Sequence, residues 1–328
     1  MATLHVVDPG LFSTVQDAGR AGWSWAGVPV GGAADPLSIR IGNAMVGNPP
    51  GLPAIETTLN GGAFAFDSTR VVAVTGAASE VSVTRSDGTT FVIAMYKPVL
   101  LEPGSTIRVG RALRGCRAYV CVGGGLAVPR VMGSSSTHAG ARFGGHEGRP
   151  LRAGDRIGLC GDEPGSCIDP SHGVEGLVHE AILRRMVRVV LAPAEDGFDL
   201  AGFVAPRRWV VSARSDRMGI RLSGEALAAP FEGRMPSQGM MWGAVQVPPG
   251  GEPMVLLCDH PTTGGYPVIG CVIAADLPAI GQWRPGEAVN FVSISVDQAR
   301  RALRDQSRRF FPAAGQGHAP PGRGAAEP

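Results

Sequence analysis

Apolar and polar residues alternate along much of this chain at the two-residue period of strands, and only a few places switch to helical spacing. Residues 2–8 open with a short alternating run, and a turn-rich segment follows to about Gly32. Phe64–Phe66, Val71–Thr75, Glu80–Thr84, Thr90–Met95 and Arg117–Val122 are rich in β-branched or aromatic residues and separated by turn residues, which predicts strands. Ser86-Asp87-Gly88 reads as the turn of a hairpin. The clearest short helix starts at Asp35-Pro36, with Asp35 as N-cap and Pro36 at the first helical position. Leu37, Ile41, Ala44 and Met45 share its apolar face, and Gly47 is the stop. Glu195–Val204 reads as a short helix. Another begins at Ser295, with Gln298 as capping-box partner, and turns Arg300, Arg301, Arg304 and Arg308 to solvent.

A turn feeding a strand recurs at Glu102-Pro103-Gly104-Ser105, Arg152-Ala153-Gly154-Asp155 and Arg284-Pro285-Gly286-Glu287. Such recurrence suits a barrel, or two related barrels. Residues 161–173 are polar and rich in Gly, Pro and Ser, and Val187–Leu191 starts a new strand after them. The expected organisation is an N-terminal β-barrel-like domain over 1–185, a C-terminal barrel domain over 186–311, and a disordered tail over 312–328.

Composition narrows the function classes. The 48 glycines and 27 prolines favour turns between short strands over long helices. A net charge of +2 gives no electrostatic basis for nucleic-acid or membrane binding. Lys97 is the sole lysine, so no phosphate-binding P-loop can be completed. The six cysteines form no C-x-x-C pair, and the histidines show neither i, i+4 pairing nor H-E-x-x-H, so no metal site is expected. The N-terminus lacks a basic region followed by an apolar run, and no apolar stretch is long enough to span a bilayer. These features together read as a cytoplasmic chain with free thiols.

Four polar clusters lie between strands. In Thr14–Arg20, Gln16, Asp17 and Arg20 carry the groups that grip an amide or an acid, or else form a hydrogen-bonded turn. In Ser212–Gly219, Asp216 and Arg217 make either an anion-binding loop or a structural ion pair. In Asp259–Pro267, Asp259 is placed to act as a base or orient one, Thr262 and Thr263 are polar, Gly264 and Gly265 allow close backbone approach, and Tyr266 offers a hydroxyl. The alternative for this last cluster is a wide structural loop. Gly133–His138 is hydroxyl-rich, but a serine nucleophile is disfavoured because only Lys97 could assist it and no G-x-S-x-G elbow is present. Ala94-Met95-Tyr96-Lys97 lacks the lysine position of a biotin attachment site. Lys97 either points into a site or caps a strand.

The order of these clusters resembles the family of C-type subunits of 5-oxoprolinase, also called allophanate hydrolase subunit 2 and biotin-dependent carboxyltransferase. Thr14–Arg20, Gly31-Gly32-Ala33-Ala34-Asp35-Pro36, Asn43–Asn48, Ala54-Ile55-Glu56, Arg117–Pro129, Gly133–Thr137, Arg217-Met218-Gly219 and Asp259–Pro267 carry the resemblance, from about residue 4 to 310. The family often has Asn where Asp216 stands and Gln where Pro261 stands. The resemblance implies a mainly β, cyclophilin-like barrel architecture in two related units with a few short helices. It implies a B-type partner subunit and an A-type subunit that uses ATP, with no cofactor bound covalently here. The implied reaction is hydrolysis of the cyclic amide 5-oxo-L-proline to L-glutamate. Carboxyl transfer to urea or a related amide with a separate biotin carrier is an alternative, as is a non-catalytic antagonist of a kinase inhibitor.

The expected site gathers Asp259, Tyr266 and Arg217 as catalytic residues. Gln16, Asp17, Arg20, Asp216, Thr262, Thr263, Gly264, Gly265 and Lys97 would bind a small polar amide or acid. Arg217, with Arg20, would hold an anion. The Gly264 and Gly265 N–H groups would stabilise a tetrahedral oxygen. Replacing Arg217 by Ala is expected to abolish turnover without unfolding the chain.

Overall fold

The strand patterns of the first half condense into one ten-stranded sheet, in which several short predicted segments merge. The computed structural model describes residues 2–161, 163–168, 173–193, 200–204, 209–227 and 235–311. The tail 312–328, residues 195–199 of the expected helix, His172 and His318 lie outside the described residues.

Val71–Thr75 and Glu80–Thr84 are two parts of one fifteen-residue strand, Arg70–Thr84, and Arg117–Val122 ends a seventeen-residue strand, Thr106–Val122. The two run antiparallel with register shifts between Gly76 and Val81. Gly76 has φ 99°, and a Cβ there would lie 2.3 Å from the Arg117 carbonyl oxygen, so only glycine lets the strands cross this closely. A further strand, Ser13–Gln16, falls inside the segment read as turns; all four of its residues are buried, so no alternation marks it.

Helix α1 (Pro36–Met45) starts as the sequence predicts: the Asp35 carboxylate accepts from the Leu37 and Ser38 N–H groups at 3.1 and 3.0 Å. Its inner face packs on the two long strands, while Ala44, expected on that face, is exposed. Gly42 lies so close that a Cβ would meet Cys121 Sγ at 2.6 Å. Helix α2 (Val174–Ile182) adds Val178, Ala181 and Ile182 to the same core.

The second half forms a closed seven-stranded barrel of Met186–Leu191, Trp209–Val211, Gly219–Ser223, Ala244–Gln246, Met254–Leu256, Val268–Val272 and Ala288–Ser293. Pairing is antiparallel except between the first and last of these strands. Trp209, Trp283, Phe203 and Phe291 fill its interior, with the Phe203 and Phe291 rings 4.5 Å apart. Helix α3 (Leu200–Val204) packs Phe203 into this core. Gly104, Gly154 and Gly286 all have positive φ, so the thrice-repeated turn motif does feed a strand each time.

The barrel is joined to the sheet by the end of helix α4 (Leu277–Gly281). Gln282 Oε1 accepts from the Cys116 and Arg117 N–H groups at 2.8 and 2.9 Å, and its Nε2 donates to Asp35 Oδ2 at 2.7 Å and the Arg117 carbonyl at 2.8 Å. Helix α5 (Val296–Phe310) carries the predicted capping box and an exposed arginine face. All six cysteines are free thiols. Among the described residues no helix is long and apolar enough to cross a membrane, and no group of three His, Cys, Asp or Glu side chains is placed to hold a metal.

Candidate functional site

The strands that end at the junction of sheet and barrel deliver buried charges to one place. Arg217 precedes the barrel strand Gly219–Ser223, and Asp259 follows Met254–Leu256, its neighbour in the barrel. Their side chains form a two-point pair, Arg217 Nε to Asp259 Oδ2 at 2.8 Å and Nη2 to Oδ1 at 3.0 Å. Arg217 Nη1 also donates to Glu56, on the sheet strand Ala54–Thr58, and Nη2 donates to the Gly32 carbonyl at 2.6 Å. Glu56 Oε2 in turn accepts from Tyr119 Oη at 2.8 Å and the Ala34 N–H at 2.9 Å, and Oε1 lies 3.6 Å from Arg117 Nε. Burial opposes charge on Arg217, but Asp259, Cys258 and Glu56 outweigh it and hold its guanidinium well above the usual range. Arg217 thus enters the structure with its donors already committed. It braces two carboxylates rather than standing free to grip an anion.

A cavity of about 330 Å³ opens over this brace. Phe12, Leu59, Met218, Ile220, Trp283 and Pro285 give it apolar walls, and Asp216, Arg217, Asp259 and His138 give it polar ones. Sheet, loop and barrel all contribute to it. Asp216 is exposed at its rim, and its Oδ1 accepts from the Met218 and Gly219 N–H groups at 2.8 and 3.2 Å. An Asn carbonyl oxygen would serve that turn equally, which accounts for tolerance of Asp at this position.

Beside the cavity, the first polar cluster meets the serine loop. Asp17 Oδ1 accepts from Ser134 Oγ at 2.6 Å and the Gly19 N–H at 2.8 Å, and its Oδ2 accepts from the Ser135 N–H at 2.6 Å. Gln16 Nε2 donates to Thr14 Oγ1 and to the Thr137 carbonyl. Both residues therefore hold the serine loop in place. Arg20 is almost fully buried, donates Nη2 to the Ser136 carbonyl, and lies 4.7 Å over the Phe143 ring, which stacks on His138. Burial lowers its pKa, opposed by Asp17 and Asp259. His260 is buried next to Asp259; burial lowers its pKa, against the Pro261 carbonyl and Asp259.

Other expected site residues lie elsewhere. Thr263–Gly264 pairs with Gln238–Gly239, and the carbonyls of Thr262 and Gly265 accept from the Met240 and Met235 N–H groups. The backbone of this segment is therefore built into a small two-stranded sheet apart from the cavity over Arg217. Gly264 instead lies against a barrel side chain: a Cβ there would lie 2.5 Å from Gln246 Nε2. Thr262, Thr263, Gly264, Gly265 and the half-buried Tyr266 are absent from the cavity lining. Lys97 is exposed in the turn between the strands Thr90–Ile93 and Val99–Leu101, also outside that lining.

Glu56, Arg117 and Gln282 belong to the site but are not among the expected site residues, although Glu56 and Arg117 fall in stretches that carry the family resemblance. A lone carboxylate in the apolar strand Ala-Ile-Glu-Thr-Thr is the available signal, since a buried charge needs a partner.

Residues 26–293 match the family described as carboxyltransferase domain, subdomain A and B. The C-type subunit of 5-oxoprolinase from Escherichia coli (strain K12) is 37% identical over 94% of this chain and 96% of that protein. The urea amidolyase of Saccharomyces cerevisiae is 32% identical over 92% of this chain but only 17% of its own length. The solved structure of Kluyveromyces lactis urea carboxylase superposes with a TM-score of 0.83 at 28% identity, covering 97% of this chain and 30% of that one. The chain spans about a third or less of the urea-processing proteins that it matches, but nearly all of the 5-oxoprolinase relative. On the extent of these matches, and with the sheet-and-barrel architecture they share, the chain belongs to the carboxyltransferase domain family, subdomains A and B.

Proposed function

We propose that the chain is the C-type component of an ATP-dependent 5-oxoprolinase, hydrolysing 5-oxo-L-proline to L-glutamate with B-type and A-type subunits in the cytoplasm. The observation that carries this reading is the end-to-end match to a 5-oxoprolinase component, in contrast to the partial coverage of the urea-processing proteins. With no P-loop in the sequence, ATP chemistry falls to another subunit. The junction cavity is large enough for a five-membered lactam carrying one carboxylate. Asp259 faces it in an orientation fixed by Arg217, the arrangement needed for a group that moves or positions a proton.

Reconstitution with B-type and A-type partners tests the proposal. Glutamate should be released from 5-oxoproline only with ATP and all three chains. Full activity of the other two chains alone would sink it.

Carboxyl transfer to urea or a related amide is the second reading, favoured by the likeness to urea carboxylase across 97% of this chain. Carboxylation that depends on an added biotinylated carrier, with no release of glutamate, would select it.

A further inference from the structure

The junction cavity has three walls: the sheet, with Leu59 and Arg117; the barrel, with Asp216, Arg217 and Asp259; and the loop after the serine cluster, with His138. Among the loop residues in the lining, His138 alone has a polar side chain. Its loop is a tight turn, residues 138–143, closed by the backbone. The His138 N–H donates to the Phe143 carbonyl at 2.9 Å, and the Phe143 N–H returns to the His138 carbonyl at 3.4 Å. The two rings stack, with centroids 5.4 Å apart and planes 6° from parallel, and the Arg20 guanidinium lies 4.7 Å from the Phe143 centroid. Arg20 is buried and bonded to the Ser136 carbonyl, so the stack is anchored in the protein interior and the imidazole is held in one orientation.

That orientation decides which nitrogen meets the cavity. His138 Nδ1 accepts from the Ala141 N–H at 3.0 Å, and a Cβ on Gly140 would lie 3.5 Å from Cε1 and 3.8 Å from Nδ1, so this edge of the ring faces its own loop. A neutral imidazole that accepts at one nitrogen carries its proton on the other. Nε2–H is therefore a donor, and it has no partner among the described residues. Arg217 and Trp283, which share the cavity wall, have spent theirs: each nitrogen of Arg217 donates to Asp259, Glu56 or the Gly32 carbonyl, and Trp283 Nε1 donates to the Arg184 carbonyl at 3.0 Å. The titratable side chains that share the cavity with His138 are Cys116, Arg117, Asp216, Arg217 and Asp259.

We propose that His138 is a catalytic residue of the junction cavity, donating Nε2–H to the substrate oxygen on which negative charge develops, and keeping that proton throughout. A neutral imidazole N–H aimed at a carbonyl oxygen polarises it without proton transfer. When water adds to a lactam carbonyl, the C=O electron pair moves onto oxygen. It returns as the C–N bond breaks, and the ring nitrogen leaves with a proton from that water. His138 makes and breaks no covalent bond in this sequence. The role rests on the proposed function in taking this cavity as the place of reaction.

The test is glutamate release from 5-oxoproline by the reconstituted three-subunit complex, across about pH 6 to 9. His138→Ala should lower kcat about 100-fold and change KM by less than about threefold, as loss of one oxyanion donor does. His138→Gln should restore kcat to within about tenfold of the unaltered complex, because its amide N–H can donate but cannot act as a base or a general acid. The His138→Ala defect should not fade as pH rises, as it would for an acid that must be protonated. Circular dichroism checks that both variants fold. Nitrogen-15 NMR of the histidine-labelled full chain, with the His138 signal assigned by its loss in His138→Gln, should show the proton on Nε2. Equal loss in the Gln and Ala variants, an effect confined to KM, a defect that fades with rising pH, or a proton on Nδ1 overturns the proposal. An active complex indifferent to His138 removes this role and keeps the proposed function. A complex that releases no glutamate but carboxylates urea with a biotinylated carrier removes that function, and the same variants then decide the role in the carboxylation assay. No turnover of either kind removes both.

Discussion

Replacing Arg217 by Ala separates two roles for this side chain, a brace and an anion clamp. The truncation removes both bonds to Asp259, the bond to Glu56 and the bond to the Gly32 carbonyl. Asp259 and Glu56 stay buried, Glu56 keeping Tyr119, the Ala34 N–H and nearby Arg117. Removing one partner of a buried pair costs about 3–5 kcal/mol, because the remaining charge is left uncompensated. With a urea dependence of roughly 1–3 kcal/mol per molar, the unfolding midpoint should fall by more than about 1 M. Urea titration followed by circular dichroism and by fluorescence of the buried Trp209 and Trp283 measures the shift. The expectation from sequence, that Arg217→Ala abolishes turnover without unfolding, is therefore replaced: stability should fall together with activity. A change below about 1 kcal/mol, accompanied by loss of substrate binding, would refute the brace and restore the clamp.

Burial, against hydrogen bonds from Ser38, Gln282 and the helix N–H groups, raises the Asp35 carboxyl to about 6. A raised carboxyl stabilises fully below its unfolded value and loses that contribution as pH rises through the folded one, so the chain should lose about 3 kcal/mol between pH 4 and 7 from this group. Asp35→Asn should flatten this part of the stability profile in urea titrations across that range. Gln282→Leu strands the Cys116 and Arg117 N–H groups and removes one bond each from the Arg117 carbonyl and the Asp35 carboxylate, and should cost about 3–5 kcal/mol in the same assay. Gly42→Ala forces a methyl group against Cys121 and Thr75 and should lower stability by about 1–3 kcal/mol, read as a drop in thermal midpoint.

The parts of this fold legible in sequence are those written in local chemistry. Asp35-Pro36 starts helix α1, Ser295 and Gln298 cap helix α5, and each repeated turn glycine has the positive φ that its turn requires. Ser13–Gln16 escapes because a strand buried on both faces carries no alternation, and the long strands read as fragments because Gly76 shifts their register. At the site, Arg217, Asp259, Asp17 and Arg20 stand out as charged residues in glycine-rich loops. Which of them has spare hydrogen-bonding capacity is set by partners far away in the chain, such as Glu56, 161 residues from Arg217, and Gly32, 185 residues from it. The Thr262–Tyr266 segment misleads because a glycine pair reads alike whether it approaches a ligand or, as here, a neighbouring side chain.

The solitary lysine gives this chain an experimental convenience. Lys97 is exposed in a turn that contributes nothing to the cavity wall, so amine-directed dyes have one side chain to find. A fluorophore placed there would report, through tumbling or energy transfer, when another subunit docks, while the chemistry at the sheet-barrel seam proceeds unlabelled.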